Sequence, residues 1–458
     1  MSDRVMVAGA GKSGIAATKM LLELGGDVLL YDSNSELDIE ALMENFPNTK
    51  QLLVKTGDLK ASDLNTVTLC IISPGIDLEA PFVKVLDSAG IPIWSEIQLA
   101  FQTDKGQLVA ITGTNGKTTT TALTGAIMAK KYEETFTVGN IGIPYTETCL
   151  KTTEKSVTVL ETSSFQLETI TDFHPHVSAI LNITPDHLNR HHTMEKYIAI
   201  KETITMNQTA ADFCVLNADD PILYAFGASG ECKAKIVWFS SSRTLPEGFY
   251  LKEFQDVFGK RTWICHSFQG MEEQVICVND LNIIGKHNHE NAMAAIAMGY
   301  CMNVPKEKIV EACREFVAVE HRIEFVRERT GVRYYNDSKG TNPDAAIKAI
   351  QAMPGPTLVI GGGYDKKSSY DEWVQEFEGK VKYLVLIGET RDAIAECCKE
   401  HGFTDVMYAE SLEEAVKVCA SYAEMGDCVL LSPACASWDM FPNYEVRGKL
   451  FKQYVNEL

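Results

Sequence analysis

The chain has 458 residues, of which 45% are hydrophobic and 23% are charged, and its formal net charge is −20. A chain of this length is too long to fold around a single hydrophobic core. At roughly 150 residues per domain, it predicts about three domains. The strong acidic excess argues against nucleic acid as a partner. No apolar run approaches the roughly 20 residues that a membrane span needs, so we expect no membrane span.

The N-terminal residues and the cysteines both bear on where the chain works. Residues 4–8 already form a predicted strand, which leaves no room for a signal peptide. The 13 cysteines include no C-x-x-C pair and one vicinal pair, Cys397 and Cys398. We expect most of them to be buried thiols in a reducing compartment, not a disulfide framework or a zinc site. A cytoplasmic location is therefore predicted.

The first hundred or so residues predict a small parallel sheet with a ligand-binding turn. Strand Arg4–Ala8 runs into Gly9–Gly14, whose first, third and sixth residues are glycines, and then into a helix and a second strand that ends at Asp32. Glycines at this spacing, with an acid about twenty residues on, let a pyrophosphate approach a helix N-terminus. Both a nicotinamide dinucleotide and a UDP-sugar carry that diphosphate and a ribose. Further strands are predicted at Val67–Ile72 and Ile91–Trp94.

A second glycine-rich turn lies between an apolar strand and a predicted helix. Gly113–Gly116 follows residues 109–112 and precedes Lys117 and Thr118. The backbone N–H groups of such a turn, at the positive end of a helix dipole, bind phosphate. Lys117 would bridge the β and γ phosphates of ATP, and the Thr118 hydroxyl would bind Mg²⁺. The full phosphate-loop pattern has glycine where this chain has Ile111, so the match is a shortened variant.

The central part of the chain alternates apolar strands with helical stretches, which predicts a doubly wound sheet. The strands are predicted at Val157–Leu160, Val177–Leu181 and Phe213–Leu216. Short β-like runs between residues 235 and 278 predict an antiparallel appendage. Helices are expected at about 193–205, 289–302 and 306–316.

The remainder of the chain predicts another α/β unit beginning near Val319. A hairpin is expected over Phe325–Asn336, followed by a set of strands and helices. The strands are Leu358–Ile360, Tyr383–Ile387 and Val429–Leu431, and the helices are Asn342–Met353 and Leu412–Tyr422. Three α/β units in series favour chemistry in the crevices at the carboxyl ends of strands.

Three side chains are candidates to complete a metal and phosphate site. Glu161 ends an apolar strand, where phosphate-loop proteins place an acid for Mg²⁺. His187 follows another strand, and Lys201 lies on the next helix. His187 and His191 have the i, i+4 spacing of a zinc pair, but the zinc-protease pattern needs Glu where Leu188 stands, so zinc is not expected here.

Several stretches in chain order, spread over essentially the whole sequence, resemble the Mur ligases, the ATP-dependent amide-forming enzymes of peptidoglycan precursor synthesis. These stretches are Thr112–Thr118, Glu161–Leu167, Asn182–Leu188 and His287–Asn291. Three others most resemble the member of that family that adds D-glutamate. They are Ser73–Ile76, Asn336–Asn342 and Ser432–Ser437, and the last match extends through Trp438–Phe441, Tyr444 and Arg447–Gly448.

This resemblance implies an α/β fold of three domains. A Rossmann-like domain at 1–98 would bind the UDP substrate, a P-loop ATPase-like domain at 99–318 would bind ATP, and a Rossmann-like domain at 319–458 would bind the amino acid. The implied substrates are UDP-N-acetylmuramoyl-L-alanine and D-glutamate, and the implied state is a monomer. ATP would phosphorylate the substrate carboxylate to an acyl phosphate, which the amine of D-glutamate attacks, releasing ADP and phosphate.

The resemblance also assigns roles to individual residues. Lys117, His187 and Lys201 are the implied catalytic residues, and Lys201 is the position that CO₂ carbamylates in this family. Two Mg²⁺ ions would be held by Thr118, Glu161, His187 and Lys201. Carbamylation turns a cation into an anion and requires a deprotonated amine first.

Three binding sets follow from the same resemblance. The ATP set is Gly113, Thr114, Asn115, Gly116, Lys117, Thr118, Thr119, Asn288, Asn291, Arg322 and Asp337. The UDP-substrate set is Gly11, Ser13, Gly14, Asp32, Ser33, Ser73, Pro74, Gly75 and Asn140. The D-glutamate set is Lys339, Thr341, Lys366, Ser437, Trp438 and Tyr444, in which cationic and hydroxyl donors suit two carboxylates.

Other interpretations account for less of the chain. A sibling ligase adding another amino acid would differ around Ser437. A folylpolyglutamate synthase-like ligase would not need the first glycine turn, and an NAD-dependent dehydrogenase leaves the second one unexplained. A nucleotide-sensing module without catalysis gives no reason for Glu161, His187 and Lys201 together. Without any ligand, Asn288 would be a helix N-cap and Asn291 a surface residue.

Overall fold

The computed structural model describes residues 3–47, 49–140, 142–257 and 259–458. Contacts divide the chain into two compact units, Met1–Val278 with Glu290–Cys313, and Asn279–His289 with Arg314–Leu458. Three sheets with flanking helices confirm the α/β architecture. The domain limits at residues 98 and 318 stay predictions. None of the helices in the described ranges combines the length and apolar character needed to cross a membrane.

The first sheet has five parallel strands in the order β3-β2-β1-β4-β5. The strands are β1 (Arg4–Ala8), β2 (Asp27–Asp32), β3 (Leu52–Thr56), β4 (Val67–Ile72) and β5 (Ile93–Ser95), and the helices are α1 (Lys12–Glu23), α2 (Ile39–Met43), α3 (Pro81–Ser88) and α4 (Glu96–Phe101). Successive side chains of β1 enter different cores, with Val7 on one face and Met6 and Ala8 on the other. The predicted small parallel sheet is confirmed.

The second sheet has nine strands in the order β14-β13-β12-β11-β10-β9-β6-β8-β7. The strands are β6 (Gln107–Thr112), β7 (Thr135–Gly139), β8 (Val157–Glu161), β9 (Val177–Ile180), β10 (Phe213–Asn217), β11 (Lys235–Ser240), β12 (Gly248–Asp256), β13 (Gly259–Phe268) and β14 (Met271–Cys277). The helices of this part are α5 (Lys117–Ala129), α6 (Ser164–Leu167), α7 (Leu188–His191), α8 (Met194–Glu202), α9 (Pro221–Ser229), α10 (Lys286–Cys301) and α11 (Lys306–Glu315).

The predicted antiparallel appendage over residues 235–278 is wrong in its first strand. β11 pairs in parallel with β10, from Phe213 opposite Lys235 to Asn217 opposite Phe239, so it belongs to the doubly wound sheet. Only β12, β13 and β14 form the antiparallel meander. The residues of a short apolar strand do not reveal whether it pairs in parallel or antiparallel with the next strand, because both kinds of pairing accept the same residue types.

The third sheet has six strands in the order β15-β16-β20-β17-β18-β19. The strands are β15 (Glu324–Arg329), β16 (Val332–Asn336), β17 (Thr357–Gly361), β18 (Val381–Leu386), β19 (Val406–Tyr408) and β20 (Cys428–Leu431), and the helices are α12 (Pro343–Ala352), α13 (Asp371–Gln375), α14 (Arg391–Glu400), α15 (Leu412–Tyr422) and α16 (Tyr444–Glu457). β15 and β16 form the predicted hairpin, and the other pairings are parallel.

One hydrophobic core joins the first two sheets. Val7 and Met20 from the first sheet and its helix α1 share a cluster with Leu108 and Cys149 from the second part of the chain. The sulfur atoms of Met20 and Cys149 lie 3.4 Å apart. All 13 cysteines are free and 11 of them are buried, which confirms that most serve as small apolar side chains.

Candidate active site

At both ends of the turn Gly113–Gly116, the backbone has a positive φ angle, a conformation that only glycine adopts readily. Gly113 has φ of 147° and Gly116 has φ of 86°. A Cβ atom on Gly116 would overlap Oδ1 of Asn291, so the asparagine packs directly on the turn. Helix α5 then begins at Lys117 with no acidic residue in its first turn and no capping side chain among the described residues. The N–H groups of its first turn and its dipole therefore favour an anion.

Asn182, two residues after the end of the neighbouring strand β9, holds the turn. Its side chain accepts a hydrogen bond from the Asn115 N–H at 2.8 Å and donates one to the Asn115 carbonyl at 3.1 Å. The Thr114 hydroxyl also donates to the carbonyl of Thr184 and lies 3.2 Å from the Tyr197 hydroxyl. The turn is thus held in position before any ligand binds.

Lys117 and Lys201 meet at this turn. The Lys117 ammonium donates to the carbonyl oxygens of Gly113 and Thr114 at 2.9 and 2.8 Å. Nζ of Lys201, from helix α8, donates to the same Gly113 oxygen at 2.9 Å. The two lysines predicted to be catalytic therefore lie together, 84 positions apart in the sequence.

Lys201 is almost completely buried, with 1% of its surface exposed. Burial and the neighbouring Lys117 ammonium hold the pKa of Lys201 well below its usual range, whereas Asp186 acts in the other direction. Nζ lies 4.7 Å from the centre of the Tyr197 ring, one helical turn earlier on α8. This environment favours a neutral amine, which is the nucleophilic form of lysine.

Glu161 ends β8 with its carboxylate buried. Asn140 donates to Oε1 at 3.0 Å, and the other oxygen, Oε2, has no hydrogen-bond partner within the described residues. A buried carboxylate oxygen without a partner is costly, and a bound cation would compensate for it. The residues present therefore fit a divalent ion at the predicted acid. Asn140, which the resemblance assigns to the UDP substrate, donates this bond to Glu161, and its substrate role stays a prediction.

His187 lies at the start of helix α7 in the left-handed conformation, with φ of 52°. Its ring packs 4.9 Å from that of Phe165, and its side chain is about half exposed. The Arg190 guanidinium covers the same Phe165 ring at 4.6 Å and pairs with Glu168. The Phe165 ring, itself covered by Arg190, thus packs against a histidine that still reaches solvent.

The two asparagines assigned to ATP differ in their surroundings. Helix α10 begins at Lys286, three residues before the predicted start, so Asn288 lies inside the helix and its amide donates to the Ile284 carbonyl at 2.8 Å. It is not the N-cap that the ligand-free interpretation required. Asn291 is buried against Gly116, so it is not a surface residue either.

The first glycine turn brings several predicted UDP-site residues together. A Cβ atom on Gly14 would overlap the Gly9 carbonyl, and one on Gly9 would lie 2.7 Å from the Ser73 hydroxyl. That buried hydroxyl has no hydrogen-bond partner in the described ranges. Asp32 uses both carboxylate oxygens within the fold, accepting from the N–H groups of Ala10 and Asn34 at 2.9 Å.

In the second unit, Asp337 is a buried acid at the end of β16. It accepts hydrogen bonds from the Ser432 hydroxyl at 2.8 Å and from the Ile323 N–H at 3.3 Å. Burial raises the pKa of Asp337 to about 7, although the Arg322 guanidinium acts against this shift. Nε of Arg322 is buried and has no hydrogen-bond partner among the described residues.

The residues predicted to bind D-glutamate form two pairs of a cation with an aromatic ring. Nζ of Lys366 lies 5.3 Å from the Trp438 ring, and Nζ of Lys339 lies 5.7 Å from the Tyr444 ring. Ser437 is buried beside Trp438, which is 63% exposed. The Trp438 indole and the lysine ammonium groups, together with the buried Ser437 hydroxyl, provide donors for an anionic ligand.

Arg447 is a buried residue that the sequence interpretation quoted but gave no role. Its guanidinium donates to the hydroxyl and carbonyl of Ser338 at 3.0 and 2.9 Å, and to the carbonyls of Cys435 and Ala436. It therefore connects the segments that carry Lys339 and Ser437. Asn182 and Tyr197 were missed in the same way; Tyr197 precedes Lys201 by four residues, which places both on one helix face.

Family models match nearly the whole chain. The Mur ligase MurD-like N-terminal domain matches residues 3–95, the Mur ligase middle domain matches 111–299, and the Mur ligase glutamate ligase domain matches 321–435. The chain belongs to the Mur ligase family. This Mur ligase is therefore an ATP-dependent enzyme that forms amide bonds.

Curated relatives resemble this Mur ligase along its full length. A UDP-N-acetylmuramoylalanine--D-glutamate ligase from Lachnospira eligens is 53% identical over 99% of this chain and 98% of its own. One of the same name from Lachnoclostridium phytofermentans is 50% identical over 100% and 99%. Among solved structures, the UDP-N-acetylmuramate-alanine ligase MurC from Thermotoga maritima covers all of both chains with a TM-score of 0.62 at 18% identity, which supports the fold.

Proposed function

We propose that this Mur ligase adds D-glutamate to UDP-N-acetylmuramoyl-L-alanine at the expense of ATP, during peptidoglycan precursor synthesis. The observation that carries this proposal is the full-length identity of 53% and 50% to relatives that bear the name of that reaction. We also propose that it acts as a cytoplasmic monomer, from its composition and the resemblance.

The reaction must overcome the poor reactivity of a carboxylate toward an amine. ATP phosphorylates the carboxylate of the alanyl substrate, so that the D-glutamate amine attacks an acyl phosphate and inorganic phosphate leaves. Both reactants are anions, so cations must screen their repulsion. In this chain, the turn Gly113–Gly116 and the Lys117 ammonium would hold the triphosphate.

Magnesium is the cofactor that this donor set fits. The unpartnered Glu161 oxygen and the Thr118 hydroxyl are hard oxygen donors of the kind Mg²⁺ prefers, and His187 would serve a second ion. Mg²⁺ held there would neutralise phosphate charge and polarise the reacting oxygens. Asn140 orients the Glu161 carboxylate through its hydrogen bond.

We infer that Lys201 is carbamylated. Its neutral amine would attack CO₂ to form an N–C bond, and the released proton passes to solvent. The product is an anionic carbamate next to Lys117, which gives the Lys117 ammonium an ion-pair partner at the turn. A carbamate also supplies oxygen ligands for a cation.

For the amino acid, we propose that Lys366, Lys339 and Ser437 bind the two carboxylates of D-glutamate. Arg447 would position them by holding Ser338 and Ala436. The assignments of Arg322 and Asp337 to ATP, and of the first glycine turn to the UDP group, stay predictions. The unpartnered Arg322 Nε and Ser73 hydroxyl support them, since both are buried polar atoms suited to a ligand.

The test measures phosphate release with ATP, UDP-N-acetylmuramoyl-L-alanine and D-glutamate together, and with each omitted in turn. Phosphate should appear at one equivalent per amide formed and only in the complete mixture. Replacing D-glutamate with L-alanine, L-lysine or diaminopimelate separates the sibling ligases. Turnover with one of those amino acids in place of D-glutamate would overturn the proposal.

A further inference from the structure

A cluster of three different metal-ligating side chains lies in the second unit, on helices that the proposed reaction does not use. Asp371 is the first residue of α13, Cys397 lies in the last turns of α14, and His401 follows the end of α14. Their ligand atoms all lie within 4.8 Å of one another. From the sequence, Cys397 is half of a vicinal pair, and no zinc site was expected among most of the cysteines.

The backbone of α14 places two of these residues on one face. The His401 N–H donates to the Cys397 carbonyl at 3.1 Å, so the helical i, i+4 relation continues to His401. Side chains at this spacing project from the same side of a helix. Cys398, the next residue, is completely buried in the core, which leaves Cys397 as the cysteine on the accessible side.

Asp371 joins this pair from the neighbouring helix. Its Oδ1 lies 2.9 Å from Nε2 of His401 and 3.9 Å from Sγ of Cys397. Its other oxygen accepts a hydrogen bond from the Ser369 hydroxyl at 2.5 Å, which orients the carboxylate. Hydrogen bonds of this kind hold metal ligands in their binding orientation.

These distances are close to those of a tetrahedral site. Zinc bonds of about 2.3 Å to sulfur and about 2.0–2.2 Å to nitrogen and oxygen place donor atoms roughly 3.2–3.8 Å apart. Two of the three pairs, at 2.9 and 3.9 Å, lie on either side of that range, and all three lie within 4.8 Å. One thiolate, one imidazole and one carboxylate form a borderline-soft set that favours Zn²⁺ over Mg²⁺.

We propose that Asp371, Cys397 and His401 form a Zn²⁺ site, with water as the fourth ligand. Binding displaces the thiol proton to solvent and forms a Zn–S bond. The ion connects α13 to α14, and α13 directly follows the segment 362–370 that carries Lys366. Zinc should therefore stabilise the folded chain against heat. This inference does not depend on the identity of the amino acid that the enzyme adds.

Cobalt is the probe that reports a cysteine ligand directly. Reduced, metal-free full-length protein is titrated with Co²⁺ in the presence of excess Mg²⁺, which occupies oxygen-only sites. We expect a near-ultraviolet thiolate-to-cobalt band that saturates at one Co²⁺ per chain and disappears when Zn²⁺ is added. A thermal scan with and without Zn²⁺ should show a higher unfolding temperature with the ion.

Two variants and one matched control decide the assignment. Cys397→Ser should abolish the band and weaken Zn²⁺ binding at least about 100-fold, since losing even an outer-sphere partner costs about 10- to 100-fold. His401→Asn should weaken Zn²⁺ binding similarly. Because His401 lies beyond the end of α14, this variant still tests the site if Cys397→Ser folds poorly. Cys398→Ala should keep the band. A band that persists without Cys397, or Zn²⁺ binding equal in all variants, would overturn the proposal.

Discussion

Lys117 and Lys201 donate to one and the same carbonyl oxygen, that of Gly113, each at 2.9 Å. Lys117 also donates to the Thr114 carbonyl, whereas burial and the nearby Lys117 ammonium lower the pKa of Lys201 and favour its neutral form. Lys117 stays the cation for phosphate. The two lysines therefore have different roles, Lys117 as the cation and Lys201 as the nucleophilic amine, and this difference can be tested.

Lys201→Ala should lower kcat by about 100- to 1,000-fold, the cost of removing one electrostatic group from an active site. Acetate or formate at high concentration should restore part of the activity, because a free carboxylate can replace the carbamate. Lys196→Ala, on the exposed side of the same helix, is the matched control and should stay active. Wild-type kcat in the Lys201 variant would contradict the carbamate proposal.

Glu161→Gln should raise the Mg²⁺ concentration needed for half-maximal activity by at least about tenfold, because the amide keeps the shape and loses the charge. Circular dichroism should show an unchanged fold. The control is Glu134→Gln, whose carboxylate accepts from Thr153 and Ser156. An identical Mg²⁺ dependence in the two variants would argue against Glu161 as a ligand.

Gly14→Ala should lower the free energy of unfolding by about 1–3 kcal/mol, the usual cost of overpacking, because the added methyl group overlaps the Gly9 carbonyl. Gly11→Ala is a sharp control, since its Cβ would have no atom within 4 Å. Urea denaturation of both variants measures the difference. Equal stabilities would show that the turn can shift to accommodate the methyl group.

Asp337 should make stability depend on pH. Its pKa is raised from 3.8 to about 7, so its contribution is fully present below pH 3.8 and is lost as pH rises through about 7. Between about pH 5 and about pH 8, wild type should therefore lose stability relative to Asp337→Asn, by up to about 3 kcal/mol. Urea denaturation at both pH values checks this, with exposed Asp344→Asn as control. An unchanged difference would contradict the raised pKa.

Lys366→Ala should raise the KM for D-glutamate by about 10- to 100-fold, the loss of one charge-assisted hydrogen bond of about 1.5–3 kcal/mol. The KM for ATP should stay within about twofold of wild type. Lys367→Ala removes the neighbouring exposed charge and provides the control. If both variants raise the KM for D-glutamate equally, Lys366 acts only through the overall positive charge of the loop and not through a direct contact with the substrate.

The phosphate turn and most strands of the three sheets could be predicted because each depends on local pattern, whereas the edge strands β3, β7 and β19 were not predicted. Glycines, an apolar strand and a following helix predict Gly113–Lys117 as a phosphate turn from local sequence alone. The direction of β11 could not be predicted, since it is set by pairing with β10. Tertiary pairing overrides propensity in short apolar runs of this kind.

The contacts that complete the site depend on packing between distant segments. Asn182 and Arg447 stand inside motifs that the sequence revealed, yet their roles follow from bonds to Asn115 and Ser338. Tyr197 could have been found from its helical spacing to Lys201. The bond from Asn140 to Glu161 could not be predicted, because a motif names a residue without giving the direction of its side chain.

The core shared by the first two sheets has a consequence during synthesis. The apolar face around Val7 and Met20 is covered by residues as late as Cys149. While the ribosome is still making the stretch between them, this face is uncovered and able to bind other apolar surfaces. The apolar face of the first sheet is therefore buried only after the chain as far as Cys149 has left the ribosomal exit tunnel. A chaperone that binds nascent chains would bind this face before then.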